Sequence, residues 1–476
     1  MQQTWRPKPG DRVIRHPRQD EMGPVSLTVT TRKVPSRALA SPLMLIYAFA
    51  SLIAVGTILL LMPFTHHGGG FTPFMTAFFT ATSAVTVTGL VIQDTAAYWT
   101  RVGQVFILGL MFVGGLGFMT LATFLLILIG QRGTLSQRLL VKESLGVDQL
   151  GGLVRLTVVI VLVAMAVQTL GFIALMARFS FIYSPAEAVW QSAFNAVSGF
   201  NNAGFDVITE PGGLAAFSSD EAVLGTIAIL ALLGGISYWV LVDVVRARRW
   251  PLFSLNTKLV LVLSGILLFV GAVAFLAFEY DNDATIGGRS MEEKVVASLF
   301  HSVSARTVGF STVDFDSTET QTNFFFTSLM FIGGASGSVA GGIKVNTLAL
   351  MLVAVLSTMR GRSQASAFGR EIPGFQIQRA MVIGAVATVF VFLIALMLTF
   401  SETEFDFIDL LFESVSAFGT VGLSTGLTPD ISSLGHLILI GAMFFGRLGP
   451  LAVALAMALQ SEGDIYRYPQ ERVTIG

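Results

Sequence analysis

Four times along this chain, a short and weakly hydrophobic segment lies between two strongly hydrophobic ones and ends in a glycine-bearing turn. The turns read Ser83-Ala-Val-Thr-Val-Thr-Gly-Leu90, Val197-Ser-Gly-Phe-Asn-Asn-Ala-Gly-Phe205, Val303-Ser-Ala-Arg-Thr-Val-Gly-Phe310 and Val415-Ser-Ala-Phe-Gly-Thr-Val-Gly-Leu423. Their glycines, Gly89, Gly204, Gly309 and Gly422, are spaced by 105 to 115 residues. That period is too long for a solenoid and suits four copies of one small unit.

The surroundings of the turns say where such a unit sits. Of 476 residues, 53% are hydrophobic and 12% charged, about half the charge of a soluble protein. The chain therefore reads as a polytopic membrane protein. A helix crosses the hydrocarbon layer with about 20 apolar residues, and eight such spans are expected, near 43–62, 102–129, 153–177, 222–244, 257–278, 323–356, 380–400 and 433–458. The weaker segments 71–85, 187–199, 293–305 and 406–418 are too short and polar to cross, so they read as half-helices that dip in and return. The expected fold is all-α, with four helix–half-helix–loop–helix repeats in pseudo-fourfold arrangement around one pore. The repeats run 41–130, 151–246, 255–358 and 378–459, between polar cytoplasmic ends 1–40 and 460–476.

Charge supports this topology. Arg132, Arg138, Lys142, Arg246, Arg248, Arg249, Arg360, Arg362, Arg370, Arg379, Arg467 and Arg472 fall in alternate connections, whereas the others carry mostly acids such as Asp206, Glu210, Asp281 and Glu404. The Lys/Arg bias places both termini in the cytoplasm. Residues 1–40 lack the apolar core of a secretory signal. The chain has no cysteine, which excludes disulfides and thiol chemistry, and five histidines make a histidine-based metal site improbable. His66-His67, beside Gly68-Gly-Gly70, reads as a surface turn.

Non-helical backbone inside a membrane must be buried in protein or line water, and glycine permits the reversal. The carbonyls ahead of each glycine are then the natural ligands of a dehydrated monovalent cation. They belong to Thr86, Val87 and Thr88; Asn201, Asn202 and Ala203; Arg306, Thr307 and Val308; and Gly419, Thr420 and Val421. Each half-helix would point its negative dipole end at the path.

Thr86-Val-Thr-Gly89 and its three altered copies resemble the superfamily of K⁺ transporters that includes the bacterial Trk and Ktr systems and the plant HKT proteins. The resemblance covers about residues 43–458 and is closest to the KtrB-type membrane subunits of the Ktr systems. It implies a K⁺ uptake subunit of the plasma membrane whose four filter positions, all glycine here, admit K⁺. Na⁺ dependence, a homodimer of complete pores and a cytosolic KtrA-like nucleotide-binding ring are further implications. The basic loops at 130–142, 246–249 and 360–379 are placed either to dock such a ring or to touch anionic lipid.

The sixth hydrophobic run, 323–356, is 34 residues long, roughly 51 Å as a straight helix at 1.5 Å per residue. Its middle, Gly333-Gly-Ala-Ser-Gly-Ser-Val-Ala-Gly-Gly-Ile-Lys344, is poor helix. A break is expected, with Gly334, Ala335, Ser336, Gly337, Ser338, Val339, Ala340, Gly341 and Gly342 forming a loop below the filter that obstructs the path. The resemblance implies the same, an intramembrane gate loop. A cation within a span is functional or paired. Arg447 is expected to face the axis, repel K⁺ and contact the loop near Ser336–Gly342; the alternative is an arginine satisfying helix carbonyls around Pro450. Lys344 either joins the gate or snorkels to the cytoplasmic side. Arg306 is expected to pair with a carboxylate behind the filter, such as Glu413.

Two other classes compete. A secondary transporter of another small solute would also have broken helices, but is usually built from two inverted repeats. A membrane-embedded enzyme would need a catalytic cluster, and none of the usual motifs occurs. No motif for an organic cofactor is found.

Overall fold

The computed structural model describes residues 42–116 and 153–459, with side chains described for 46–116 and 158–448. The expected cytoplasmic segments 1–40, 130–152 and 460–476 lie outside the described residues.

The helices are α1 (Pro42–Leu60), α2 (Phe74–Thr86), α3 (Thr95–Tyr98), α4 (Arg101–Leu116), α5 (Leu153–Phe179), α6 (Pro185–Asn201), α7 (Glu221–Gly235) and α8 (Tyr238–Ala247). They continue as α9 (Leu255–Glu279), α10 (Met291–Ser304), α11 (Thr320–Met330), α12 (Val345–Met359), α13 (Gly374–Ser401), α14 (Phe407–Gly419) and α15 (Ser433–Leu459). Among the described residues, α5, α9 and α13 are each long and apolar enough to cross a bilayer. The pair α7 and α8 makes a fourth span if taken together, and α1, α4, α12 and α15 contain shorter apolar stretches.

Burial is inverted relative to a soluble protein. The interior holds Gln191, Asn195, Ser198, Asn201, Thr307, Ser414 and Thr420, whereas Leu170, Phe269, Phe392 and Phe400 stand exposed on the long helices. Water would reject that surface; hydrocarbon accepts it, provided the buried polar groups find partners inside.

Local chemistry sets where the short helices begin. Asp220 caps α7 by accepting from the backbone N–H of Ala222 and Val223, both at 3.2 Å. Ser290 and Glu293 form a reciprocal capping box at the start of α10. The packing then follows a cycle. The helix after each glycine loop packs on the next short helix: α4 on α6, α7 on α10, α11 on α14, and α15 back on α2. The fourth unit therefore meets the first.

Two expectations need correction, on the run 222–244 and on His66. The run 222–244 is not one straight span: it breaks at Ile236-Ser237, and α7 and α8 meet at 95°. Gly234-Gly235 weakens the helix there, and the freed carbonyls find partners elsewhere, as described below. The fold is helical as expected, with one short hairpin among the described residues. Ser366–Ala367 (β1) and Arg370–Glu371 (β2) pair as an antiparallel hairpin after α12. His66 is not on a surface turn: it is buried, lies 3.1 Å from Thr72 Oγ1 through Nδ1, and stacks on Tyr98. The 323–356 run does break, with non-helical backbone from Phe331 to Lys344 between α11 and α12.

Candidate functional site

Short helices α2, α6 and α14 end in the same way. Their C-caps, Val87, Asn202 and Thr420, take left-handed backbone at φ 58°, 56° and 49°. Thr307 does so in the third copy, at φ 71°. Left-handed backbone costs a non-glycine residue roughly 1–2 kcal/mol. Four such residues, each two positions ahead of a positive-φ glycine, mark strain that recurs by design. Thr86, Asn201 and Gly419 still belong to the helices, whereas Arg306 lies beyond the end of α10.

A buried serine ties each loop to its helix. Gly89 N–H donates to Ser83 Oγ at 3.0 Å. Ser198 Oγ donates to Phe205 O at 2.6 Å, Ser304 Oγ donates to Phe310 O, and Ser416 Oγ donates to Leu423 O at 2.6 Å while accepting from Gly422 N–H at 3.2 Å. Sequence reasoning passed over these serines. Their signal was present: each stands five or six residues ahead of its glycine.

The glycines close on one another in order. A Cβ on Gly89 would overlap Ala203 O; one on Gly204 would lie 2.9 Å from Val308 O and 3.1 Å from Gly309 Cα; one on Gly309 would overlap Val421 O; and one on Gly422 would overlap Thr88 O. Each glycine therefore abuts the carbonyl just ahead of the next glycine, and the fourth returns to the first. The C-terminal ends of α2, α6 and α14 meet this ring. Their free carbonyls and dipoles give it negative potential with no carboxylate in it. Among the described residues, no group of three or more histidine, cysteine or acidic side chains is placed to hold a metal ion.

Glycines on the neighbouring helices permit this closeness. A Cβ on Gly114 would overlap Val85 O, on Gly234 Phe200 O, and on Gly446 Phe418 O. The third copy departs from the pattern, because Gly333 faces the carbonyl of Gly341, within the 331–344 loop itself.

That loop lies against the ring. A Cβ on Gly341 would overlap Thr420 Oγ1, and one on Gly333 would lie 3.5 Å from Thr307 Cγ2. Gly333 N–H donates to Ile343 O at 2.8 Å, and Val345 N–H to Gly334 O at 3.0 Å, so the loop's two ends pair with each other. Lys344 Nζ donates to Ala340 O and, at 3.3 Å, to Gly341 O. It curls into the loop and does not snorkel away. Arg447 donates to Val339 O and, at 2.7 Å, to Gly114 O, so it joins the loop to α4.

The expected pairing of Arg306 with Glu413 is not made. Arg306 donates to Ser264 O and Ser264 Oγ, both at 3.3 Å, and to Gly333 O at 3.5 Å. Glu413 accepts from Ser424 and, at 2.9 Å, from Thr428. The arginine's hydrogen bonds go to α9 and to the start of the broken-helix loop.

The family model for TrkH, described as a cation transport protein, matches residues 23–467. The Ktr system potassium uptake protein B of Bacillus subtilis is 37% identical over 435 residues, covering 91% of this chain and 96% of that one. The potassium/sodium uptake protein NtpJ of Enterococcus hirae is 34% identical over 459 residues, covering 94% of this chain and all of its own. The crystal structure of the potassium transporter TrkH from Vibrio parahaemolyticus superposes with a TM-score of 0.68 at 16% identity, over 91% of this chain and 86% of that one.

Proposed function

The chain belongs to the TrkH family of cation transport proteins, and on that premise we propose that it is the ion-translocating subunit of a K⁺ uptake system. It is a membrane protein of this transporter family. The repeats 41–130, 151–246, 255–358 and 378–459 surround one path, and K⁺ passes the ring of Gly89, Gly204, Gly309 and Gly422. One observation carries this reading: each glycine abuts the carbonyl ahead of the next, in a closed cycle of four. Carbonyls held this way replace the hydration shell of a monovalent cation. The converging helix ends favour positive charge without fixing it, so an ion can both enter and leave.

The 331–344 loop is the gate. It lies against Thr307 and Thr420 and carries Lys344, and Arg447 reaches its Val339 carbonyl. Both cations donate to adjacent carbonyls of this loop, Lys344 to Ala340 O and Arg447 to Val339 O. Together they oppose K⁺ until the loop moves. Na⁺ acts as a second cation, a reading favoured by the name of the Enterococcus relative. A KtrA-like cytosolic nucleotide-binding ring controls the loop, a homodimer is the working unit, and both termini face the cytoplasm.

The test is K⁺ and Na⁺ flux in liposomes, with and without a cytosolic partner, beside K⁺-dependent growth of uptake-deficient cells. Protein that supports K⁺-limited growth, and whose flux rises when Ser336–Ala340 is shortened, upholds the reading. Absent K⁺ flux, or flux indifferent to the loop, would defeat the filter or the gate respectively.

A further inference from the structure

Two of the helices that follow glycine loops are broken, and the breaks meet. Where α7 ends, the carbonyls of Gly234 and Gly235 no longer serve a continuing helix. They accept from the loop: Val339 N–H donates to Gly234 O at 3.3 Å and Ala335 N–H to Gly235 O at 3.0 Å. Beside these bonds, Ala335 packs with Val240 of α8 and Val260 of α9. Asn346, the second residue of α12, accepts from Ser336 N–H at 2.8 Å and donates to Asn256 of α9. The loop from Ala335 to Val339 is therefore seated where the broken helix of the second unit meets the start of α9.

The far ends of the same helices are tied as well. After α8 the chain makes a short 3-10 turn, Trp250–Leu252; after α12 it forms the β1–β2 hairpin. Phe368 at the hairpin tip meets Trp250 edge-on, with ring centroids 6.2 Å apart. Lys258 Nζ lies 6.0 Å from the Phe368 ring and donates to Pro251 O at 3.3 Å. Phe368 holds φ +51°, next to Gly369 at φ +74°. A two-residue hairpin turn with two positive φ values calls for Asn or Gly at its first position. A phenylalanine there costs local strain, and its ring reaches Trp250.

The C-terminal half of α8 is fixed too. Asp243 accepts from Ser254 N–H at 2.9 Å and from Thr257 Oγ1 at 2.5 Å, locking α8 to the start of α9. So α8 and α12 are joined at both ends, through the loop seat at one and the aromatic clasp at the other.

We propose that α8 positions the gate loop: the helix break supplies its seat, and the Phe368–Trp250 clasp sets how firmly the loop stays seated. The proposal rests on the gate reading above. Gly234, Gly235, Val240, Trp250 and Phe368 become positioning residues, and movement of the α8–α9 connection becomes a route by which a cytosolic event reaches the path.

The experiment uses the chain's lack of cysteine. Phe368→Gly removes the ring while giving the turn the residue it favours, so folding is retained. K⁺ flux in liposomes should rise about 2- to 10-fold, the range of one edge-on aromatic pair. Adding Val240→Cys and Ala335→Cys and oxidising should abolish that rise, and a reductant should restore it. In a protein already shortened at Ser336–Ala340, Phe368→Gly should change nothing further. Unchanged flux in Phe368→Gly, or a rise that persists in the oxidised or shortened protein, would overturn the proposal while leaving the gate itself standing. Failure of the gate reading shows separately, as a shortened loop with parental flux.

Discussion

The ring of glycines permits a graded test. Gly204→Ala is the mildest change available in it. The new Cβ would meet Val308 O at 2.9 Å and Gly309 Cα at 3.1 Å, the smallest overlaps in the ring, though both are backbone atoms that must yield. Backbone strain sets the minimum cost. Gly204 holds φ +67°, and left-handed backbone costs an alanine about 1–2 kcal/mol. At about 1.4 kcal/mol per tenfold, that leaves roughly one molecule in five to one in thirty with the loop in its liganding shape. K⁺ uptake should fall about five- to thirty-fold. Gly422→Ala also takes a positive φ, +96°, and its Cβ overlaps Thr88 O much more deeply, at 2.2 Å against the 2.9 Å at Gly204. It should lose uptake beyond that range. Gly225→Ala is the control: nothing lies within 4 Å of its Cβ in the middle of α7, and alanine exceeds glycine as a helix former by roughly 1 kcal/mol. Its uptake should match the parent and its melting temperature should not fall. Rubidium uptake by K⁺-uptake-deficient cells, normalised to membrane-inserted protein, reads all three. Gly422→Ala with parental uptake, or Gly204→Ala more damaged than Gly422→Ala, would refute the cyclic filter.

Further outcomes are expected. Gly89→Ser, whose Cβ would overlap Ala203 O, should lower K⁺ uptake and narrow the preference for K⁺ in the flux that remains, read as the Na⁺ to K⁺ flux ratio in liposomes; an unaltered ratio places the filter elsewhere. Arg447→Ala should raise basal K⁺ flux several-fold, because it removes both a charge below the ring and the bonds to Val339 O and Gly114 O. Ser416→Ala leaves the part-buried Gly422 N–H without its partner, which costs about 0.5–1.5 kcal/mol, and should lower both the melting temperature and the flux. Asp206, in the connection after the second glycine, is pushed up to about 6 by burial and by the neighbouring charge of Asp94. Its acid form is the one the fold prefers. That contribution is full below the ordinary aspartate value and is lost as pH rises through about 6. Parent protein should lose stability over that window, and Asp206→Asn should show a flatter thermal-stability profile.

Some of this was legible because the chemistry is local. A short polar helix followed by glycine between two apolar runs has few ways to satisfy its backbone in a membrane, and the four copies read this way end in left-handed residues at Val87, Asn202, Thr307 and Thr420. The run from Gly333 to Lys344 could not stay helical, and it does not. The Ser83, Ser198, Ser304 and Ser416 ties were equally local and equally visible, but their role depended on knowing which way each loop turns back.

What the sequence could not supply is who stands beside whom. The break at Ile236-Ser237 hides in a continuous apolar run, since hydropathy does not register that the Gly234 and Gly235 carbonyls have partners 100 residues away in Ala335 and Val339. Charge alone pairs Arg306 with Glu413, whereas Ser264 and Gly333 accept its hydrogen bonds. The order in which Gly89, Gly204, Gly309 and Gly422 touch arises only when α15 returns to α2. Propensity and hydropathy act over a few residues and fix the units themselves. Closing the units on one another depends on shape and hydrogen-bond satisfaction across the whole chain, and that only the tertiary structure decided.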